Sequence, residues 1–578
     1  MPRLRVCVKK ACMEKTVADG VAAALVQEGV HRVYGLAGDG LNPLALSLQR
    51  ERGLRWVHVR HEETAAFAAS AEAQLTGRVA ACCGSCGSGQ LHLLNGLYDA
   101  HRSAAAVLAL VSHPATLHLG TSYMQETNPA RLFRDCTAYR ELVSRAEQAP
   151  AVLAAALRSA RAQQDVGLVA LPGDVALLPQ STSFAPPCAV PERGSLCPDG
   201  ETLQRMAALL NESPRVTFLC GIGCAGAKEE VVALARRVQA PVAYTLRAKD
   251  FMEGDNPCEV GMTGIMGWGG APVAVADCDV LVMWGTDFPY AEFLPPHARV
   301  VQVDADLCAL GRRIPLALAV HGEVREVARA LLPLIHLERG DEHLAAARCL
   351  HRRVVAEMEG PVRVPDEGAL LRPEYVTRLI SDLAEPDAVF TVGTGAPVLW
   401  AARYLRTADA RRLLGSFKHG SMACALAMAI GAKSAAPSRQ VIALCSSEGL
   451  SMLPGDILTL MQEHLSVKIF VYNASSPESA AMDGIERPLR PVDFAAMARG
   501  MGIAAARISS AAEAGAAVKR WLAEPGPALL DAVTDCHARG VPPSLSLGRG
   551  AVEERGFSLS HGLEGLQRLL FGRRRVEQ

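Results

Sequence analysis

The sequence lacks any imbalance of charge. Its 578 residues include 59 lysines and arginines against 60 aspartates and glutamates, which gives a formal net charge of −1. A chain whose net charge is this close to zero creates no overall field that would attract nucleic acid, so we expect no nucleic-acid partner. Half of the residues are apolar and only 21% are charged, which is typical of a soluble α/β enzyme with large cores.

Long apolar segments are also missing. No run reaches the roughly 18 to 20 residues that a membrane-spanning helix needs. The nearest, residues 272–284, is interrupted by Asp277 and Asp279. The N-terminal segment MPRLRVCVKKAC is basic but has no apolar core of the kind found in signal peptides. These absences predict a soluble, cytoplasmic protein.

A disulfide framework is the third feature that the sequence does not show. The 17 cysteines are odd in number and irregularly spaced, which favours reduced thiols. Cys82, Cys83 and Cys86 are close enough in sequence for a metal cluster, but no matching second pair follows. We favour packed structural thiols, because small buried cysteines are common in α/β cores.

Apolar strands alternate with helical segments along most of the chain. Runs such as residues 107–111 and 166–171 are each followed or preceded by a helical pattern, which is typical of parallel sheets covered by helices on both faces. A chain of 578 residues is also too long for one core. The sequence therefore predicts three consecutive doubly wound parallel-sheet α/β domains, at residues 13–184, 200–338 and 372–540.

A C-terminal tail, residues 541–578, follows the third domain. Leu559, Leu563, Leu566 and Leu570 have helical spacing, and the basic run 573–575 follows them. Such an amphipathic helix could make weak peripheral contact with a membrane surface. Docking on the protein itself or on a neighbouring subunit is the interpretation that we favour.

Nine segments together resemble the pyruvate oxidase and quinone-dependent pyruvate dehydrogenase branch of the thiamine-diphosphate enzymes, which is related to acetohydroxyacid synthase. They occur in the order of that family over nearly the whole chain. The segments are RHEETAAFAASAEAQLTG (60–77), GSCGSGQLHLLNGLYDAHR (84–102), QETNP (125–129), LPGDVAL (171–177), CGIGCAGA (220–227), DNPCEVGMTGIMG (255–267), GTDFPY (285–290), WAARYL (400–405) and RRLLGSFKHGSMA (411–423).

The resemblance implies a pyrimidine-binding-like domain, a central FAD-binding domain and a diphosphate-binding-like domain, in that order. In such proteins the active site lies between the first domain of one subunit and the third domain of its partner. A homodimer or homotetramer that acts on a small-molecule substrate is therefore implied.

The positions that the resemblance assigns to FAD are retained. Gly221, Gly223 and Gly226 give a turn with little side-chain bulk after a strand, so backbone N–H groups can approach a pyrophosphate. Arg247 and Lys249 belong to the loop that runs along the flavin nucleotide in this family, where they would offset its negative charge. The remaining positions matched to FAD are Cys224, Thr263, Gly264, Gly285, Thr286, Asp287, Phe288 and Asp304.

The positions that the resemblance assigns to thiamine diphosphate have changed. The family carries an Asp in a Gly-Asp-Gly turn and, about 26 residues later, an Asn, and both bind the Mg²⁺ that bridges the diphosphate. Ser447 stands at the Asp, Glu448 at the following Gly and Ala474 at the Asn. Mg²⁺ requires hard oxygen ligands in octahedral geometry, so we predict that thiamine diphosphate and Mg²⁺ are absent.

Two charged residues leave alternatives open around the altered turn. Glu448 could serve as a shifted metal ligand, although repulsion of a diphosphate is the interpretation that we favour. Lys418 replaces the Asn usual before His419. It could pair with Glu448 and fill the empty metal site, or it could be an exposed loop lysine.

Glu62 stands where the family keeps the carboxylate that contacts the aminopyrimidine ring. It could retain a thiamine role, act as an acid or base beside a different ligand, or serve as a buried contact at a helix start. Gln125, His92 and Met422 also match the family's pocket. Glu62, Gln125 and His92 are our candidate catalytic residues.

The sequence leads to one favoured function and two alternatives. We expect an FAD-binding flavoprotein that no longer uses Mg²⁺ and thiamine diphosphate and performs flavin redox chemistry on a small metabolite, as an oxidase, dehydrogenase or oxygenase. The alternatives are oxidative decarboxylation of pyruvate or another 2-oxo acid with thiamine diphosphate and FAD, and a non-catalytic scaffold or regulatory homologue.

Overall fold

Three parallel-sheet α/β units follow one another in the protein, as the sequence predicts. A computed structural model of the chain describes residues 15–180, 184, 195–336, 340–365, 369–408, 410–473, 492–535 and 538. Ala474 and the predicted amphipathic tail lie outside these ranges. All strand pairs in the three sheets are parallel except one, between Glu259–Met262 and Trp268–Gly269.

The first unit contains a six-stranded sheet in the order β2-β1-β3-β4-β6-β5. Its strands are β1 (Arg32–Gly35), β2 (Arg55–His58), β3 (Ala80–Gly84), β4 (Val107–His113), β5 (Tyr139–Leu142) and β6 (Val166–Pro172). Its helices are α1 (Val17–Gln27), α2 (Asn42–Arg50), α3 (Glu62–Thr76), α4 (Ser88–Ser103), α5 (Pro129–Leu132), α6 (Ala149–Gln163) and α7 (Gly173–Leu177). Every residue of β4 and β6 is buried, because helices cover both faces of the sheet.

The second unit contains a seven-stranded sheet in the order β10-β9-β8-β7-β11-β12-β13. Its strands are β7 (Val216–Cys220), β8 (Val242–Tyr244), β9 (Glu259–Met262), β10 (Trp268–Gly269), β11 (Val280–Trp284), β12 (Arg299–Asp304) and β13 (Leu318–His321). Its helices are α8 (Gly200–Glu212), α9 (Lys228–Val238), α10 (Lys249–Met252), α11 (Ala271–Ala276) and α12 (Val324–Leu331), and α13 (Glu342–Met358) leads to the third unit.

The third unit contains a six-stranded sheet in the order β15-β14-β16-β17-β19-β18. Its strands are β14 (Val389–Val392), β15 (Arg412–Gly415), β16 (Val441–Ser446), β17 (Val467–Asn473), β18 (Ala504–Ile508) and β19 (Ala528–Val533). Its helices are α14 (Pro373–Leu383), α15 (Ala396–Tyr404), α16 (Cys424–Ala435), α17 (Ser447–Met452), α18 (Ile457–Gln462), α19 (Phe494–Gly500) and α20 (Ala511–Ala523).

Helices α3 and α16 join the first and third units within one chain. Both are buried on nearly all sides, and their sequences are rich in alanine. They approach so closely that a Cβ on Gly431 would lie 2.0 Å from the carbonyl oxygen of Ala68. At one edge of this contact, Tyr34 donates a hydrogen bond of 2.5 Å to Glu72, which also pairs with Arg32.

Two further predictions concern cysteines and membranes. Cys82, Cys83 and Cys86 are buried free thiols. Burial raises the pKa of Cys82 to about 12, which favours a packed thiol over a metal-binding thiolate. Within the ranges described above, every helix is too short or too polar to cross a lipid bilayer.

Candidate functional site

Glu62 lies at the first residue of α3, just beyond the carboxyl end of β2. His61 caps the helix, because its Nδ1 accepts a hydrogen bond of 3.2 Å from the backbone N–H of Glu63. Glu62 itself is 4% exposed. The turn into α3 therefore holds a carboxylate inside the protein, at the edge of the sheet where ligands of doubly wound folds bind.

Glu62 and His92 form a pair between the starts of α3 and α4. Glu62 Oε2 lies 3.0 Å from His92 Nδ1. The His92 side chain is 44% exposed, and its ring stacks on that of His61 with centroids 4.3 Å apart. A buried carboxylate in contact with a partly exposed imidazole is an arrangement that can move a proton between the interior and the solvent.

Gln125 joins the same edge of the first sheet through a close backbone contact. It has a positive φ of 63°, and its Oε1 accepts a hydrogen bond of 3.2 Å from Cys86. A Cβ on Gly87 would lie 2.8 Å from the Cβ of Gln125, and one on Gly89 would lie 2.7 Å from Glu62 Oε1. The three candidate catalytic residues thus converge on the first turn of α4.

Asn95 is a site residue that sequence reasoning missed. Its amide donates to Glu63 Oε1 at 2.8 Å, and its Oδ1 lies 2.7 Å from His419 Nε2, which donates to it. Asn95 lies one helical turn after His92, so the spacing on α4 was the available signal. Asn95 thereby connects Glu63, the neighbour of Glu62, with the loop of the third domain that contains Met422. Met422 is 38% exposed.

The glycines assigned to flavin lie at the switch point of the central sheet, where β7 is flanked by β8 and β11. Open parallel sheets bind their ligands at such points. A Cβ on Gly221 would lie 2.3 Å from the Cβ of Thr286, and one on Gly223 would lie 2.7 Å from the Cα of Gly285. The two loops can therefore touch only because glycines occupy these positions.

The other residues of these loops are buried or lie in a tight turn. Cys224 is fully buried and donates to the Trp284 carbonyl, which makes it a packing residue. Thr263 and Phe288 are also buried, and Gly264 has a φ of 93° with the Phe288 ring packed against it. The glycine turns lie at the switch point, which is where doubly wound sheets bind phosphate-bearing ligands.

Asp287 is the centre of a cluster of cations that joins the central and third domains. Its carboxylate contacts Lys418 at 3.3 Å, Arg312 at 3.2 Å and Arg313 at 3.9 Å. Burial alone would raise the pKa of Asp287, but these cations outweigh it and the pKa is lowered. Lys418 thus pairs with Asp287 rather than with Glu448, which corrects the first interpretation of Lys418 made from the sequence, whereas its position in an exposed turn agrees with the second. Nearby, burial raises the pKa of Asp304.

Lys249 is fully buried and Arg247 is partly buried, so the two cations do not lie along an open groove. Arg247 donates to the carbonyl of Ser103 in the first domain at 2.8 Å, and burial lowers its pKa. Lys249 has no exposed surface, pairs with Glu253 and lies 5.8 Å from the centre of the Trp268 ring. The charge of Lys249 is therefore balanced within the protein, which leaves it little to offset on a flavin.

The turn between β16 and α17 does not fit Mg²⁺. Ser446 caps α17 by accepting from the N–H of Gly449 at 3.0 Å, Ser447 is buried, and Glu448 is exposed. Asn473, at the end of β17, donates to Asp531 at 2.8 Å. Hydroxyl groups at this turn replace the carboxylate that Mg²⁺ prefers.

Potential metal ligands come together elsewhere. Among the residues that the structure describes, one group of three histidine, cysteine or acidic side chains is close enough to hold a metal ion, and it consists of His61, Glu62 and His92. This group contains the pair assigned above to proton transfer. It lies in the first domain, on α3 and α4 and the turn before α3, rather than at the turn that follows β16.

The chain contains three consecutive parallel-sheet domains, and the candidate site residues lie beyond the ends of strands that include β2, β7 and β16. Family models match all three: "Thiamine pyrophosphate enzyme, N-terminal TPP binding domain" over residues 15–132, the central domain over 203–331 and the C-terminal TPP binding domain over 393–532. The chain belongs to the thiamine pyrophosphate enzyme family.

Several relatives are similar over much of the chain. A putative thiamine pyrophosphate-containing protein of Bacillus subtilis, YdaP, is 31% identical over 94% of this chain and 95% of its own length. The pyruvate oxidase of Lactiplantibacillus plantarum is 29% identical over 91% and 90%, respectively. An uncharacterized 42.6 kDa protein from Pseudomonas amyloderamosa is 45% identical over 58% of this chain and 85% of its own.

Proposed function

We propose that the protein is an FAD-dependent oxidoreductase that acts on a small metabolite without Mg²⁺ and thiamine diphosphate. The observation that carries the proposal is Ser447, a buried serine at the position of the metal-binding aspartate. Ala474, at the second ligand position, adds no oxygen. Membership in the family supports an enzyme, and the altered turn argues against the family's thiamine cofactor.

The electrostatics of the turn oppose a diphosphate. Glu448 is exposed at this turn, so a diphosphate bound there would be repelled by its carboxylate, although solvent screens part of that repulsion. In the family, Mg²⁺ would neutralise such a charge, but Ser447 offers only a hydroxyl to hold that ion. Glu448 therefore disfavours the cofactor at the point where the ligand for its metal is missing.

The residues assigned to flavin support the part of the proposal that concerns FAD. Glycines at the switch point of the central sheet let the loops after β7 and β11 meet, which suits the pyrophosphate of FAD. Gly221, Gly223 and Gly285 would hold this part of FAD, with Thr263, Thr286 and Phe288 nearby. When bound, FAD would supply the acceptor for a hydride or for electrons.

The chain's own residues would transfer the proton that the substrate loses. In this proposal, Glu62 accepts a proton from the substrate at its carboxylate and His92 passes it to solvent. Their contact of 3.0 Å and the exposure of His92 support the transfer. Gln125 would orient the substrate at the same edge. A homodimer or homotetramer would place the first domain of one subunit against the third domain of another.

Oxidative decarboxylation of a 2-oxo acid is the second candidate function. One observation favours it: Glu62, the position that contacts the aminopyrimidine, is retained and buried. It requires that pyruvate or a related acid reduces the flavin only when thiamine diphosphate and a divalent ion are both present.

Mass spectrometry of the ligands released from the purified protein tests the proposal. We expect FAD, and no thiamine diphosphate even after incubation with thiamine diphosphate and Mg²⁺. Protein that is colourless and releases no FAD would contradict the flavin half. Stoichiometric release of thiamine diphosphate would favour oxidative decarboxylation, and flavin that no small acid or reductant can reduce would favour a non-catalytic homologue.

A further inference from the structure

The turn that presents Glu62 is held by a residue of the third domain. Glu62 lies between Arg60 and Thr64, and both of these residues donate hydrogen bonds to Asp456. The backbone N–H of Arg60 lies 2.9 Å from Asp456 Oδ1, and the hydroxyl of Thr64 lies 2.6 Å from Asp456 Oδ2. One carboxylate therefore binds the chain on both sides of Glu62.

Asp456 is a buried residue just before α18. It is 1% exposed, and its Oδ1 also accepts a hydrogen bond of 2.8 Å from the hydroxyl of Thr459. Burial raises the pKa of Asp456, and the hydrogen bonds from its three donors oppose that rise. A carboxylate that accepts from one backbone N–H and two hydroxyl groups is held in one orientation, because hydrogen bonds to a charged acceptor are short and strong.

Glu463, just after α18, adds a more exposed contact between the same parts of the chain. It pairs with Arg55 at 3.1 Å and accepts a hydrogen bond of 3.1 Å from the backbone N–H of His58. The Arg55 side chain is 48% exposed, so this ion pair stabilises the contact only weakly. The buried carboxylate of Asp456 is therefore the stronger of the two links between the start of α3 and the third domain.

The position of the first turn of α3 determines whether Glu62 reaches His92. Glu62 Oε2 lies 3.0 Å from His92 Nδ1, and α3 packs against α4, which contains His92. A shift of the turn by about 1 Å would take the carboxylate out of hydrogen-bond distance of the imidazole. Misplacement of a reacting group on this scale can slow a reaction by about 100-fold.

We propose that Asp456 is a positioning residue, which holds Arg60 and Thr64 and thereby keeps the Glu62 carboxylate in contact with His92. The inference rests on the proposed function, in which Glu62 accepts a proton from the substrate. It gives the third domain a role at Glu62 that requires neither thiamine diphosphate nor Mg²⁺.

Four variants of the full-length protein separate positioning from stability. Asp456→Asn removes the charge and leaves one acceptor oxygen, whereas Thr64→Val removes only the hydroxyl on α3. Thr64→Ser is the conservative variant, because it keeps that hydroxyl. Thr377→Val is the matched control, because Thr377 is a fully buried threonine on α14 of the third domain, and its hydroxyl donates to the carbonyl of Pro373 at 2.6 Å.

Crystal structures of these variants give a first readout that needs no substrate. We expect the wild type, Thr64→Ser and Thr377→Val to keep Glu62 within hydrogen-bond distance of His92. In Asp456→Asn and Thr64→Val the distance should exceed about 3.5 Å. Thr64→Val is the milder change and provides the test if Asp456→Asn does not fold. The proposal is overturned if folded Asp456→Asn or Thr64→Val keeps the contact.

The limiting rate of flavin reduction is the second readout, measured by stopped flow with lactate, glycolate or pyruvate, whichever bleaches the flavin. We expect Thr64→Val to lower this rate by about 10- to 100-fold, with unchanged FAD content and half-saturating concentration. It should cause no further loss when combined with Glu62→Gln, because both changes act on the same group.

The two readouts distinguish failure of this inference from failure of the proposed function. A slow Glu62→Gln variant together with a Thr64→Val variant that reacts at the wild-type rate would refute the positioning role. If no acid bleaches the flavin, or if Glu62→Gln reacts at the wild-type rate, the proposed function fails. The crystal structures then still decide whether Asp456 holds Glu62 against His92.

Discussion

The contact between Lys418 and Asp287 gives the most specific prediction, because it ties the third domain to a loop assigned to flavin. The two charges lie 3.3 Å apart. Coulomb's law gives about 5 kcal/mol for such a pair at an effective dielectric near 20. The Lys418 side chain is 34% exposed and two arginines also contact Asp287, so the net contribution should be only about 1 to 2 kcal/mol.

Lys418→Met removes the charge and keeps most of the side chain. If the ion pair holds the loop after β11 in place for FAD, the dissociation constant for FAD should rise by about 5- to 30-fold, as 1 to 2 kcal/mol requires. Fluorescence titration of the apoprotein measures it. Lys433→Met is the control, because Lys433 is a half-buried lysine of the same domain that donates to two backbone carbonyls, those of Pro437 and Arg439.

A double-mutant cycle separates the pair from the individual residues. The effects of Lys418→Met and Asp287→Asn should not add in the double variant, because each removes the same interaction. The coupling energy should be about 1 kcal/mol or more. Wild-type affinity in Lys418→Met, or strictly additive effects, would refute the assigned role of the pair.

Three further predictions concern packing, protonation and catalysis. Gly431→Ala should lower the melting temperature by about 1 to 2.5 °C, since overpacking against Ala68 costs about 1 to 3 kcal/mol, whereas Gly515→Ala, with no atom near its Cβ, should not. Burial raises the pKa of Asp99 from 3.8 to about 6, so its ionisation costs stability of up to about 3 kcal/mol as pH rises through that interval. Asp99→Asn should lose this pH dependence. Plots of melting temperature against pH that run parallel for the two proteins from pH 4 to 7 would contradict this expectation. Glu62→Gln should slow reduction of the flavin by about 10²- to 10⁴-fold in stopped-flow experiments with any small acid that bleaches it, without loss of bound FAD; an unchanged rate would remove Glu62 from catalysis.

The order and type of the elements could be predicted from the sequence because the signals are local. The apolar runs that become β4 and β6 are buried along their whole length, and such runs are typical of parallel strands. The glycines of residues 220–227 likewise predict a turn after a strand. Short-range patterns of this kind decide local structure before any tertiary contact is known.

The partners of charged side chains could not be predicted, because they depend on contacts between domains. Lys418 is 131 residues from Asp287 in the sequence, and nothing in the sequence near either residue indicates the pairing. Lys249 looks like a surface cation in its loop, yet tertiary packing buries it against Glu253 and Trp268. Asn95 was overlooked because its hydrogen bond with His419 crosses from the first domain to the third.

The central claim is that the protein has kept the family's fold but not its Mg²⁺-thiamine diphosphate chemistry. Its most direct test is isothermal titration of thiamine diphosphate with Mg²⁺ into the purified flavin-containing protein. The triple variant Ser447→Asp, Glu448→Gly, Ala474→Asn, which restores the ligand positions, serves as the comparison. We predict no saturable binding to the wild type and measurable, Mg²⁺-dependent binding to the variant. Saturable, Mg²⁺-dependent binding of thiamine diphosphate to the wild type would contradict the claim.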